Sequence, residues 1–90
     1  MHQSISTILL APPAEQQLRT IAKPLRMLLV KRLHVLRTSP HPPGLTKLDG
    51  MDHLYRIRED GYRIVYAIRD RDLIVLAIKN GSRLKWLAPE

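Results

Sequence analysis

The chain has 90 residues, enough for one domain with one modest hydrophobic core, and we expect residues 1–90 to form it. Its 15 Lys and Arg residues outnumber 8 acidic residues, and the net charge of +7 favours a phosphate-rich or otherwise acidic partner. The absence of cysteine excludes disulfides and thiolate metal sites, and no apolar run reaches membrane-spanning length. We therefore expect a cytoplasmic protein that needs no membrane, metal or cofactor.

The first half of the chain predicts one strand followed by two helices. Residues 4–10 are short, apolar and rich in β-branched side chains, as in a strand. Pro12 suits the first turn of a helix that ends near Lys23, because the residue before Pro24 is disfavoured in the α conformation. Pro24 in turn can open a second helix that runs to about Arg37.

An apolar stripe on the second helix is interrupted by one charged residue. The stripe has helical spacing and consists of Leu25, Leu28, Leu29, Leu33 and Leu36. Arg32 falls within it. Its side chain either extends to the rim of the core or meets a carboxylate from this chain or a partner, and the sequence leaves these alternatives open.

A hairpin is predicted after a proline-rich loop and a turn at residues 47–50. Two alternating runs flank Asp60-Gly61, which is a strong signal for a two-residue hairpin turn. Such a turn places Arg58 opposite Arg63, and residues directly opposite share a face. One face then carries Tyr55, Ile57, Tyr62, Ile64 and Tyr66, and the other carries Arg56, Arg58, Arg63 and Val65.

The last predicted strand covers residues 73–78, which are apolar on both faces as in a central strand. We predict that Ile74, Leu76 and Ile78 join the tyrosine and isoleucine layer. Val75, Ala77 and Lys79 then lie on the arginine face, and the same alternation sends Arg83 toward it.

These elements predict an α+β two-layer sandwich with the order β-α-α-β-β-β. The sheet is expected to be antiparallel, with both helices packed on one face. Two helices can cover only one face, so the tyrosine and isoleucine layer is the covered one. The arginine face is expected to stay open.

The arginine face is the candidate site. Like charges directly opposite each other destabilise a sheet, so folding alone does not explain these arginines, whereas binding of a polyanion would. The alternative is a solvated face on which the arginines splay apart or pair with carboxylates. Arginine binds phosphate bidentately and stabilises charge that develops on a phosphoryl group, as in RNA cleavage by the ribose 2′-OH. A guanidinium cannot act as a base, and no His or Glu is placed on this face. The residues therefore support anion binding and leave catalysis open.

Three segments also carry a family resemblance. They are Lys47-Leu48-x-Gly50, the hairpin from Leu54 to Tyr66, and Ile78-Lys79-Asn80-Gly81-Ser82-Arg83. Together they resemble the RelE/ParE superfamily of bacterial toxins from type II toxin–antitoxin modules, in particular its RelE-like members. The resemblance implies a growth-arresting toxin of the same α+β fold, which forms a hetero-oligomer with a cognate antitoxin.

Resemblance to RelE-like members further implies a ribosome-dependent mRNA endonuclease that inhibits translation without a metal ion. The implied catalytic residues are Arg56, Arg58, Arg63 and Arg83. The implied RNA-binding residues are Lys47, Lys79 and Trp86, the last by stacking on a base unless it only packs in the core.

This sequence departs from the nuclease pattern at several positions. Arginine replaces lysine at Arg56 and Arg58, and Leu87 and Pro89 stand where a tyrosine is usual. Two alternatives to the nuclease therefore stay open. The protein could instead be a ParE-type inhibitor of DNA gyrase, or a non-toxic member that only binds an antitoxin.

Overall fold

The computed structural model describes residues 5–48, 53–59 and 61–80. In chain order the elements are β1 (Thr7–Leu10), α1 (Pro12–Arg19), α2 (Lys23–Val35), β2 (Thr46–Lys47), β3 (Leu54–Glu59), β4 (Tyr62–Arg69) and β5 (Asp72–Asn80). The strands form one sheet in the order β1-β5-β4-β3-β2, which confirms the α+β class. Neither helix of the described residues is long and apolar enough to cross a membrane.

The hairpin of β3 and β4 has the predicted register. Arg58 lies opposite Arg63, and Ile57 lies opposite Ile64. Gly61 has a φ of 80°, the left-handed conformation that a two-residue hairpin turn requires. The alternation of the two strands therefore separates an apolar face from a basic one, as the sequence predicts.

The sheet differs from the predicted antiparallel one at an edge. β1 runs parallel to β5, with Thr7 opposite Asp72. In addition, Thr46 and Lys47 pair with β3 as a short antiparallel strand, where the sequence predicts only a turn from Lys47 onward. The parallel pair of β1 and β5 makes the sheet mixed, while every other pair of neighbouring strands is antiparallel.

A β-bulge interrupts the pairing of β4 with β5. Val65 lies opposite Ala77, whereas the next residue, Tyr66, lies opposite Val75. Leu76 is therefore an extra residue on β5, and the alternation of that strand reverses at this point.

The bulge changes which residues of β5 enter the core. Ile78 is buried as predicted, but Leu73 and Val75 are buried in place of Ile74 and Leu76, which stay partly exposed. The prediction for the first half of β5 is therefore wrong. Its run of consecutive apolar residues contains no polar position that would indicate the reversal.

Helix α2 packs on the sheet through part of its predicted stripe. Leu29 is fully buried, as is Leu36 just after the helix, and Leu33 is nearly so. Leu25 packs at the margin of the core. Leu28 is 51% exposed, so its prediction as a core residue is wrong, because the helix turns it away from the layer that holds Leu29.

Tyr66 is the largest fully buried side chain among the described residues. Its hydroxyl donates a hydrogen bond to the carbonyl oxygen of Pro40 at 2.8 Å, and its ring centroid lies 5.8 Å from that of Tyr55. Burial raises the pKa of Tyr66 far above its ordinary value, Tyr55 raises this pKa further, and Arg32 lowers it in part. The phenol therefore stays neutral and ties the sheet to the proline-rich loop.

We expect Tyr66→Phe to lower the free energy of unfolding by about 1 kcal/mol at neutral pH, because the buried Pro40 carbonyl loses its donor. Above pH 10 the phenol ionises in the unfolded chain but not in the folded one. The unfolded wild type then binds fewer protons than the folded one, so the free energy of unfolding of the wild type falls as pH rises. The variant has no phenol at this position and lacks this pH dependence. Urea unfolding at neutral pH and at about pH 10.5 measures the difference between the two proteins. This difference should shrink at alkaline pH, and a constant or larger difference would refute the account.

Candidate functional site

The face of the sheet opposite the helices carries three cations in a line. Arg58 on β3 lies opposite Arg63 on β4, and Arg63 lies opposite Lys79 on β5. The isoleucine next to each of them along its strand is buried on the other face. Arg58, Arg63 and Lys79 thus form a cationic row across the three strands, on the open face that the sequence predicts.

Arg63 at the centre of the row is poised to bind an anion. Arg58 and Lys79 are exposed, while Arg63 is half-buried. The Nε atom of Arg63 is buried and has no hydrogen-bond partner in the part of the chain that the structure describes. Since buried donors are nearly always paired in folded proteins, this atom is suited to an acceptor brought by a ligand.

No carboxylate of the described residues neutralises the row. The ion pairs among these residues join Arg19 to Glu15 and Arg32 to Glu59, and neither includes a member of the row. Arg56 adds a further cation on the same face, two residues along β3 from Arg58, and lies opposite Val65 and Thr46. The sequence left open that the arginines of this face pair with carboxylates, and no described carboxylate forms such a pair with the row.

The end of β5 that carries Lys79 is held by a side chain from α1. β1 ends at Leu10, which lies opposite Val75, so β5 has no strand partner on that side beyond this point. There the Ile78 N–H donates to Oε1 of Gln17 at 2.8 Å. Gln17 therefore takes the place of a strand partner and fixes the backbone next to Lys79.

Arg32 meets a carboxylate of its own chain, which decides between the alternatives left open by the sequence. Its Nε atom lies 3.2 Å from Oε1 of Glu59, and each side chain is 29% exposed. Because Glu59 shares a face with Ile57, this pair lies on the helix side of the sheet. Glu59 is thus not among the residues that could take a proton at the cationic row.

The other residues assigned to the site are Lys47, Arg83 and Trp86. Lys47 is exposed and lies opposite Tyr55, which places it on the helix side of the sheet. Its contact with RNA stays a prediction. Arg83 and Trp86 lie outside the described residues, and their roles stay predictions as well.

A cleft lies at the other end of the open face. It has a volume of about 590 Å³ and is mainly apolar, with Ala67, Ile74 and Leu76 in its wall beside His53. In residues 5–48, 53–59 and 61–80, no three His, Asp or Glu side chains are placed to hold a metal ion. Three adjacent cations can stabilise an anion electrostatically.

These features define a small α+β protein with one open, basic sheet face. Residues 8–85 match the family model described as the ParE toxin of the type II toxin–antitoxin system parDE. The chain therefore belongs to the ParE toxin family and is a RelE/ParE superfamily toxin of a toxin–antitoxin module.

Solved structures of RelE toxins share the fold. The isolated Escherichia coli RelE toxin is 27% identical, with a TM-score of 0.72 and 82% of each chain covered. RelE of the intact E. coli RelBE complex is 28% identical, with a TM-score of 0.70 over 82% of this chain and 94% of that one. The RelE–RelB complex of Pyrococcus horikoshii OT3 gives a TM-score of 0.75 at 22% identity, with 90% of this chain and 99% of that one covered. At this identity the likeness shows the fold alone. No curated protein matches the sequence.

Proposed function

We propose that this toxin is a metal-independent, ribosome-dependent mRNA endonuclease that inhibits translation in the cytoplasm. The cationic row carries the proposal, because three adjacent cations that no described carboxylate neutralises suit a polyanion. Arg56 extends the same surface. Similarity to RelE toxins at 27–28% identity supports this assignment.

The row would act on the phosphate at the cleaved bond. The ribose 2′-oxygen attacks the adjacent phosphorus, the bond to the 5′-oxygen breaks, and the products are a 2′,3′-cyclic phosphate and a 5′-hydroxyl. Arg58 and Arg63 would bind the non-bridging oxygens and stabilise the extra charge of the transition state. Guanidinium groups stay protonated, so we assign the row no part in proton transfer. We propose that Arg83 completes the clamp.

We also propose that an antitoxin neutralises the protein by covering the open face in a hetero-oligomer. This face joins the cationic row to the apolar cleft around Ala67 and Ile74. An acidic amphipathic segment would complement both parts. The solved complexes of RelE with RelB support such a partner.

Inhibition of DNA gyrase is the second candidate. It is favoured by the matching family model, which describes a ParE toxin. Leu87 and Pro89, where nuclease-type members usually carry a tyrosine, also favour it. Under this proposal messages stay intact.

Induced expression in bacteria separates the candidates. We expect growth arrest together with new 5′ ends inside translated messages, and no effect of the purified protein on supercoiling by gyrase. Arrest with intact messages and inhibited supercoiling would replace the nuclease with the gyrase inhibitor. Growth without arrest would indicate a non-toxic member that only binds an antitoxin.

A further inference from the structure

A second cleft opens at the edge of the sheet, where β2 begins. This edge cleft has a volume of about 340 Å³ and lies between β3 and the loop that precedes β2. Three arginines line it. Arg32 reaches it from α2, on the helix side of the sheet, while Arg56 and Arg58 reach it from the open side.

The backbone of Arg58 offers a further donor to the edge cleft. β2 pairs with β3 only as far as Thr46, which lies opposite Arg56. The Leu48 N–H donates to the Leu54 carbonyl at 3.0 Å, so alternate residues of β3 present their N–H groups to this edge. The Arg58 N–H therefore points to the sheet edge beyond Thr46, the first residue of β2. No backbone carbonyl of the described residues accepts a hydrogen bond from it.

Arg32 also has a donor that lacks an acceptor. Its Nε atom is buried and lies within ion-pair distance of Glu59, but no described residue forms a hydrogen bond with it. Among the described residues at the cleft, three guanidinium groups face the one carboxylate of Glu59, which leaves an excess of positive charge. A buried donor beside an excess of positive charge favours a ligand that supplies negative charge and hydrogen-bond acceptors.

The wall of the edge cleft opposite β3 leaves room for a ligand. Gly44 lines this wall and has a φ of 85°, a left-handed conformation that favours glycine. A Cβ atom built there would meet no heavy atom within 4 Å among the described residues. The space beside Gly44 is thus open.

We propose that the edge cleft is a phosphate-binding subsite, in which the Arg32 guanidinium and the Arg58 N–H hold one phosphate oxyanion. Resting on the proposed function, we assign this phosphate to the RNA strand next to the cleaved bond. Arg58 belongs to both the edge cleft and the cationic row, so neighbouring phosphates of one strand can occupy the two places.

Inorganic phosphate tests the cleft itself. In nitrogen-15 NMR spectra of the full chain, we expect phosphate to shift the amide signals of Gly44 and Arg58 in a saturable manner. These shifts should disappear in Arg32→Gln/Glu59→Gln, which keeps the net charge of the protein unchanged and so controls for general electrostatic attraction. Undiminished shifts in this variant, or none in the wild type, would overturn the subsite.

A single-stranded RNA oligonucleotide with 2′-O-methyl groups, which cannot be cleaved, tests the assignment to RNA. We expect Arg32→Gln/Glu59→Gln to bind it about tenfold more weakly, the loss of one charge-assisted contact. Glu59→Gln alone frees Arg32 and should not weaken binding. Equal RNA affinity of the double variant and the wild type would overturn the assignment to RNA. If the wild type binds no RNA, the proposed function fails, and the phosphate titration still decides the subsite.

Discussion

Arg63→Ala is expected to abolish growth arrest and to lower RNA cleavage by at least about 100-fold, as the loss of one preorganised donor to a transition state does. Arg63 lies between Arg58 and Lys79, and its buried Nε has no hydrogen-bond partner among the described residues. A phosphate at the row therefore contacts this side chain under the proposed function. Timed cleavage of a translated message, together with growth after induction, measures the effect.

Arg69→Ala is the matched control for Arg63→Ala. Arg69 lies on the same strand and the same face, but it is exposed and stands at the far end, opposite Asp72. This variant loses the same charge and should stay within a few-fold of the wild type. Arrest that persists in a folded Arg63→Ala protein, or equal losses in both variants, would contradict a role for the row.

Leu29→Ala is expected to lower the free energy of unfolding by about 2–5 kcal/mol, because it leaves a cavity in the core. Leu29 is fully buried between α2 and the sheet. Domains of this size are stable by only about 5–15 kcal/mol, so the loss would take a large part of the total. Urea unfolding monitored by circular dichroism gives the value.

Leu28→Ala supplies the control for this measurement. Leu28 is the neighbouring residue on α2, and its side chain is 51% exposed. Its truncation should change the free energy of unfolding by no more than about 0.5 kcal/mol. A larger loss for Leu28→Ala than for Leu29→Ala would mean that α2 packs through a different face.

The hairpin shows what the sequence can predict about this fold. Asp60-Gly61 sets the turn, and the turn sets which residues of β3 and β4 lie opposite each other. This information is local, so the row of Arg58 and Arg63 follows from the sequence. The bulge at Leu76 is different, because its position depends on how β5 fits two neighbouring strands, and an apolar run carries no trace of it.

The pairing of Arg32 with Glu59 could have been predicted from the sequence. The leucine stripe places Arg32 toward the core, and the alternation of the hairpin places Glu59 on the same apolar layer. Taken together, two opposite charges in one interior layer predict their pairing. The edge cleft was not predictable, because it depends on β2 beginning only at Thr46, and a two-residue strand has no pattern of its own.

The salt dependence of RNA binding tests most directly whether the cationic row binds phosphate. The affinity of the wild type for the uncleavable single-stranded RNA is compared with that of Arg58→Ala/Arg63→Ala between low and moderate salt. Each phosphate contact with a single strand adds about 0.7 to the slope of log affinity against log salt. The account predicts that the double variant binds more weakly and that its slope is smaller by about 1.4. An unchanged slope and affinity in the folded double variant would contradict the account.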